Sequence, residues 1–191
     1  MSIRTVQLKI ANRGKDVAPF YAMEVLKAAN DREALGDDVL HMEVGEPGGG
    51  APGVVVDAAE MALRTSPIGY TEACGTPELR NRIAEHYQST YGLNVDPCRI
   101  VVTTGSSAAF LLAFMAAFDP GDKVLLTTPG YPAYPNILKC VGIEPIMVET
   151  DAETRFQPTP ELLSRASKHA DGLLIASPAN PTGTMLERNS L

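Results

Sequence analysis

No dense cluster of lysine or arginine occurs anywhere in the chain. The net charge is −7, which argues against a nucleic-acid footprint, since that would need a basic patch. Long hydrophobic runs are missing as well. The longest, Ala108 to Phe118, is too short to span a bilayer. Cysteine is scarce: Cys74, Cys98 and Cys140 have no metal-ligand or redox spacing, so a reduced, cytoplasmic setting without a metal site is expected. Residues Met1 to Lys15 are polar and mixed, with no signal-peptide apolar core. There is no internal repeat and no low-complexity tract. What remains is a 191-residue chain with 45% apolar and 20% charged residues, ordinary for a globular protein and enough for one sizeable core.

Along the chain, strand and helix signals alternate, which argues an α/β fold with a mainly parallel sheet. After an arm over residues 1–17, Pro19 opens a helix predicted over Phe20 to Leu35, with Gly36 as its stop. Val39 to Val44 reads as a strand and Val54 to Arg64 as a helix. Thr76 and Pro77 are an N-cap and first-turn proline for a third helix, on which Leu79, Ile83 and Tyr87 form an apolar stripe read as core packing. Arg99 to Thr103 reads as a β-branched strand. It is followed by a helix, Ala108 to Phe118, apolar on all faces and hence read as buried. Strands at Lys123 to Thr127, Ile143 to Val148 and Leu173 to Ala176 alternate with helices reaching about Lys139 and opening at Thr159-Pro160-Glu161.

Three of these strand ends hand over unusual loops. Thr103 leads into Gly105-Ser106-Ser107 at the start of a helix, where free N–H groups, the dipole and two hydroxyls make an anion site. Thr127 leads into Pro129-Gly130-Tyr131, an aromatic face. Ala176 leads into Ser177-Pro178-Ala179-Asn180-Pro181-Thr182-Gly183, where two prolines stiffen the loop around an amide. Parallel strands put such loops on one sheet edge, where open α/β sheets bind ligands. The set describes a site for a flat, polar, phosphorylated ring. Gly48, Gly50 and Gly53 match G-x-G-x-x-G in form, but a dinucleotide fold needs a second parallel strand after the helix. A turn-rich stretch, Thr65 to Thr71, follows instead.

In their order, Gly45-Glu46-Pro47, Gly69-Tyr70-Thr71, Thr104-Gly105-Ser106-Ser107, Pro129-Gly130-Tyr131 and Asn180-Pro181-Thr182-Gly183 resemble the motifs of class I and II aminotransferases, enzymes of fold-type I that use pyridoxal 5′-phosphate (PLP). The resemblance covers roughly residues 18–191. It implies a partial fold-type I large domain, mainly parallel sheet with flanking helices, behind an N-terminal arm and helix. The implied division is 1–44 for the arm, helix and part of a small domain, and 45–191 for the front of the PLP-binding domain. It also implies that Gly105, Ser106 and Ser107 cradle the phosphate, Tyr131 lies on the pyridine ring and Asn180 donates to the phenolate oxygen. Gly45 would bring its N–H to the substrate carboxylate. Tyr70 would reach the PLP of a partner subunit in a homodimer. The reaction implied is transfer of an amino group between an amino acid and a 2-oxo acid.

One departure is serious. The family's Schiff-base lysine follows its N-P-T-G segment. The six lysines here, Lys9, Lys15, Lys27, Lys123, Lys139 and Lys168, all precede Asn180, so no catalytic residue is assigned. The chain reads as the front half of an aminotransferase, inactive alone, with its sheet edges unpaired and an apolar patch open on helix 108–118. The alternatives are a non-catalytic remnant or PLP-binding, dimerising module, or another fold-type I activity such as a C–S lyase.

Overall fold

A computed structural model describes Lys9 and residues 11–46, 48–166 and 168–190; Pro47 and most of the expected arm lie outside these. Contacts divide the chain into two units, Ala22–Thr104 and Met1–Tyr21 with Gly105–Leu191.

The second unit holds α4 (Gly105–Ala117), β1 (Lys123–Thr128), α5 (Ala133–Cys140), β2 (Glu144–Glu149), α6 (Pro160–Ala166) and β3 (Gly172–Leu174). The strands form a parallel sheet in the order β2-β1-β3, as the alternating pattern predicts. Lys123 is in register with Glu144, and Val124 with Gly172. β1 is central and buried on both faces: Val124, Leu125 and Leu126 are all covered, which is why it reads as an unbroken apolar run. Val124 and Leu126, two apart, share one face and pack with Phe114, Leu138 and Ile143 from α4, α5 and the approach to β2. The chain passes from β2 to β3 across β1. The order therefore reverses at β1, and a crevice opens beyond the carboxyl ends of β1 and β3.

α4 corrects one expectation. Its composition reads as buried, yet Phe114 is its one buried residue, while Leu112 and Met115 are 53% and 63% exposed. Its phenylalanine face meets the sheet. The opposite face has no cover among the described residues, as expected of a front half.

In the other unit, which takes up α1 (Tyr21–Glu33) from Ala22, helices α1, α2 (Gly53–Thr65) and α3 (Pro77–Tyr91) form close to the predicted ranges, α3 behind its predicted cap. Gly36 has φ +94 just past α1, and Thr76 Oγ1 accepts the Leu79 N–H. The two strands expected here do not form. Residues 39–44 and 100–103 carry no ladder, because no described strand lies alongside to take their hydrogen bonds. Leu40 and Met42 stay exposed, and Val102 N–H donates instead to the Cys74 carbonyl at 3.0 Å. The stripe on α3 is also not core: Leu79 and Tyr87 are exposed. No strand follows α2 before α3, so the glycines at 48, 50 and 53 lack a βαβ unit.

Candidate cofactor site

β1 ends at a cis peptide, Thr128–Pro129, and Gly130 then turns the chain sharply. A Cβ there would stand 2.5 Å from the Thr127 carbonyl oxygen, so only glycine fits. The turn delivers Tyr131, half-buried, whose ring meets Tyr134 edge-on at 5.2 Å and Phe20 at 6.1 Å. Tyr134 in turn meets Phe110 of α4 at 4.8 Å. This chain of rings ties the first turns of α4 to the loop after β1.

β3 ends in a loop with two further cis peptides, Ser177–Pro178 and Asn180–Pro181. The loop closes on itself: Ala179 N–H donates to the Thr184 carbonyl at 2.9 Å, and Gly183 N–H to the Ala179 carbonyl at 2.7 Å. Gly183 has φ +68, which favours a residue without Cβ. Ser177 Oγ accepts the Leu186 N–H at 3.0 Å. The exposed Asn180 is thus carried on a short, internally bonded loop.

The two loops meet. A pit of about 10 Å³, the size of one water, is lined by Leu126, Thr127, Pro129, Gly130, Tyr134 and Leu174 with Ala176, Ala179 and Asn180. The β1 loop and Asn180 are therefore neighbours at the carboxyl edge of the sheet, where the sequence places them. Ser106 and Ser107 sit exposed in the first turn of α4, behind Gly105 at φ +81. The first-turn amides of a helix have no intrahelical acceptor, and at α4 two exposed hydroxyls stand beside them. These donors, the tyrosine ring and the amide suit a phosphorylated aromatic ring. Tyr134 was not singled out in the sequence. Its signal is its place three residues after Tyr131, on the turn entering α5. Burial pushes its phenol pKa up, and Tyr131 adds to the shift.

Gly45 and Tyr70 belong to the unit 22–104. Tyr70 is fully exposed, and a Cβ on Gly45 would meet nothing within 4 Å.

The family model for aminotransferase class I and II matches residues 37–191. The chain belongs to this family. It is 46% identical over 175 residues to the valine–pyruvate aminotransferase of Mycobacterium tuberculosis, a match covering 92% of this chain and 45% of that enzyme. It is 32% identical over 185 residues to the aspartate aminotransferase of Bacillus subtilis, covering 96% and 47%. Among solved structures, an aminotransferase from Mycobacterium tuberculosis superposes with a TM-score of 0.90 at 44% identity, over 96% of this chain and 47% of that one. The aspartate aminotransferase of Thermus thermophilus with maleate gives 0.89 at 32% identity, over 96% and 48%. The chain spans about half the length of the curated relatives it matches, and its fold is a partial fold-type I α/β fold. Aminotransferases of this class are pyridoxal-phosphate enzymes, and the donor set above fits that group.

The segment leading to Gly45 has its own electrostatics. His41 lies between two carboxylates, with Nδ1 2.7 Å from Glu43 Oε1 and Nε2 3.2 Å from Glu33 Oε1. The hydrogen bond to Glu43, then that to Glu33, holds the imidazole above its ordinary 6.5. The same contact with His41 holds Glu43 below 4.5. A raised histidine contributes stability that is complete below pH 6.5 and lost as pH rises through the folded value. A depressed carboxylate contributes above 4.5 and loses it as pH falls. Urea titration should therefore show His41→Asn costing most between pH 4.5 and 6.5, with the difference shrinking above 6.5. A difference that is flat or grows with pH would contradict the clamp.

Proposed function

We propose that this chain forms the cofactor-cradling half of an aminotransferase site, acting on an amino acid and a 2-oxo acid. The observation that carries this is the pit at the carboxyl edge of β1 and β3, where Asn180 meets the Gly130 turn. Bound PLP supplies an electron sink for amino-group transfer. The chain's own residues bind and orient. The first-turn amides of α4 with Ser106 and Ser107 hold the phosphate, where the helix dipole favours negative charge. Tyr131 covers the ring, and offset stacking there is worth about 0.5–1.5 kcal/mol. Asn180 donates its amide proton to the ring oxygen. Gly45 offers its N–H to the substrate carboxylate. Tyr70, wholly exposed in this chain, suits a reach to the site of a second copy in a homodimer. Cytoplasmic location and a division near residue 44 belong to the same reading.

No lysine lines the pit, and Lys27 and Lys123 are exposed and paired with Asp31 and Glu144. This favours a second reading for the chain as it stands, a binding half without catalysis. Titration with PLP, followed by tyrosine fluorescence, tests both. Saturable quenching is expected, weakened about tenfold by Asn180→Ala through loss of one hydrogen bond to a charged acceptor. Binding indifferent to that substitution would sink the assignment. Borohydride trapping with peptide mapping separates the two readings. One dominant labelled lysine, protected by an amino acid, means catalysis; weak labelling over surface lysines means binding alone.

A further inference from the structure

Gln157 is the one buried polar side chain among the described residues, only 6% exposed. Burying an amide is costly unless its hydrogen bonds are made. Its Nε2 donates to the Thr184 carbonyl at 2.8 Å and lies 3.0 Å from Thr184 Oγ1. That carbonyl also accepts the Ala179 N–H that closes the Asn180 loop. A carbonyl oxygen has two lone pairs, and here one closes the loop while the other fastens the closure to a residue 27 positions earlier. Thr182 Oγ1, 3.0 Å from Thr184 Oγ1, extends the network into the loop.

The chain holds Gln157 inward at a conformational cost. Arg155 and Phe156, directly before it, have φ of 55 and 56, in the left-handed region that residues with a Cβ avoid. The turn is held from several sides. Asp151 Oδ1 accepts the N–H groups of Glu153 and Thr154. Phe156 N–H donates to the Asp151 carbonyl at 2.7 Å, and Gln157 N–H to that of Thr154. Outside, Arg155 pairs with Glu187 at 2.6 Å, joining the same turn to the strand of chain that leaves the loop. Two strained residues held this way, to bury one amide against one carbonyl, mark a positioning device.

We propose that Gln157 is a positioning residue for the Asn180 loop, fixing where the Asn180 amide is presented. This rests on the reading of Asn180 as a cofactor ligand. Gln157→Met keeps length and volume and removes both hydrogen bonds. Amide hydrogen exchange without cofactor is the first measurement. In the variant, exchange at Ala179 and Gly183 should quicken about tenfold or more, the usual effect of a lost buried hydrogen bond, while Leu126 in β1 is unchanged. PLP binding should weaken in parallel. Unchanged exchange at Ala179 and Gly183, or equal quickening at Leu126, would overturn the proposal. Should the variant fail to fold, the wild-type chain decides: slowly exchanging Gln157 side-chain protons support the tether, and freely exchanging ones refute it. Quickened exchange with unaltered PLP binding upholds the tether and removes Asn180 from the cofactor site instead.

Discussion

Truncating Leu138 to alanine is expected to lower stability by about 2–5 kcal/mol, the range for a fully buried leucine whose site cannot collapse. Leu138 is 0% exposed, wedged among Phe114, Val124, Leu126 and Ile143. The sheet unit rests on few such residues: seven buried hydrophobics are found among the described residues. Small domains have only about 5–15 kcal/mol in all, so this one substitution can consume much of it. Leu112→Ala on α4 is the control. Leu112 is 53% exposed, and its loss should stay within about 0.5 kcal/mol, as for other surface changes. Urea midpoints of the two variants decide. Equal shifts would mean that α4's outer face is covered in solution and that the core is larger than the buried residues indicate.

The parts of the fold legible in the sequence are those set by local chemistry. Thr76-Pro77 and Thr159-Pro160 start helices because the cap and fixed φ act within one turn. Lys123–Thr128 was legible because a central parallel strand is apolar without alternation. Residues 39–44 and 100–103 carry strand composition too, but a strand is completed by its neighbour, and none lies beside them among the described residues. The helix at Gly105–Ala117 is apolar all round, which reports what a face can pack against and not what is there to cover it. The site divides in the same way. The places of Ser106, Ser107, Tyr131 and Asn180 could be read off because each stands in a motif of fixed order, the serines in the first turn of a helix and Tyr131 and Asn180 in loops beyond strands. Tyr134 enters through a side-chain contact with Phe110. Gln157 enters through a carbonyl far along the chain, and no local pattern announces either.

Gly130→Ala should be the most disruptive change near the site, and for a steric reason. Gly130 does not have a positive φ, so alanine meets no backbone penalty of its own. The obstacle is the Thr127 carbonyl oxygen, 2.5 Å from where the new Cβ would stand. That oxygen belongs to β1, paired in register with β2 through Thr127 and Val148. The next carbonyl, of Thr128, is held by both the N–H and the hydroxyl of Thr150. The strand end therefore cannot retreat, and the clash must relax through the Gly130–Tyr131 side. A cost of about 1–3 kcal/mol is expected, as for other overpacked positions. Near-UV circular dichroism from the Tyr131–Tyr134 pair should change with it. PLP affinity should fall by more than with Asn180→Ala, because the ring and the pit move together. Gly69→Ala is the matched control: its Cβ would meet nothing within 4 Å, so all three readouts should stay put. If Gly130→Ala left the tyrosine signal and the urea midpoint unchanged, the turn would be looser than its geometry implies. The pit that Gly130 and Asn180 line would then not depend on that turn for its shape.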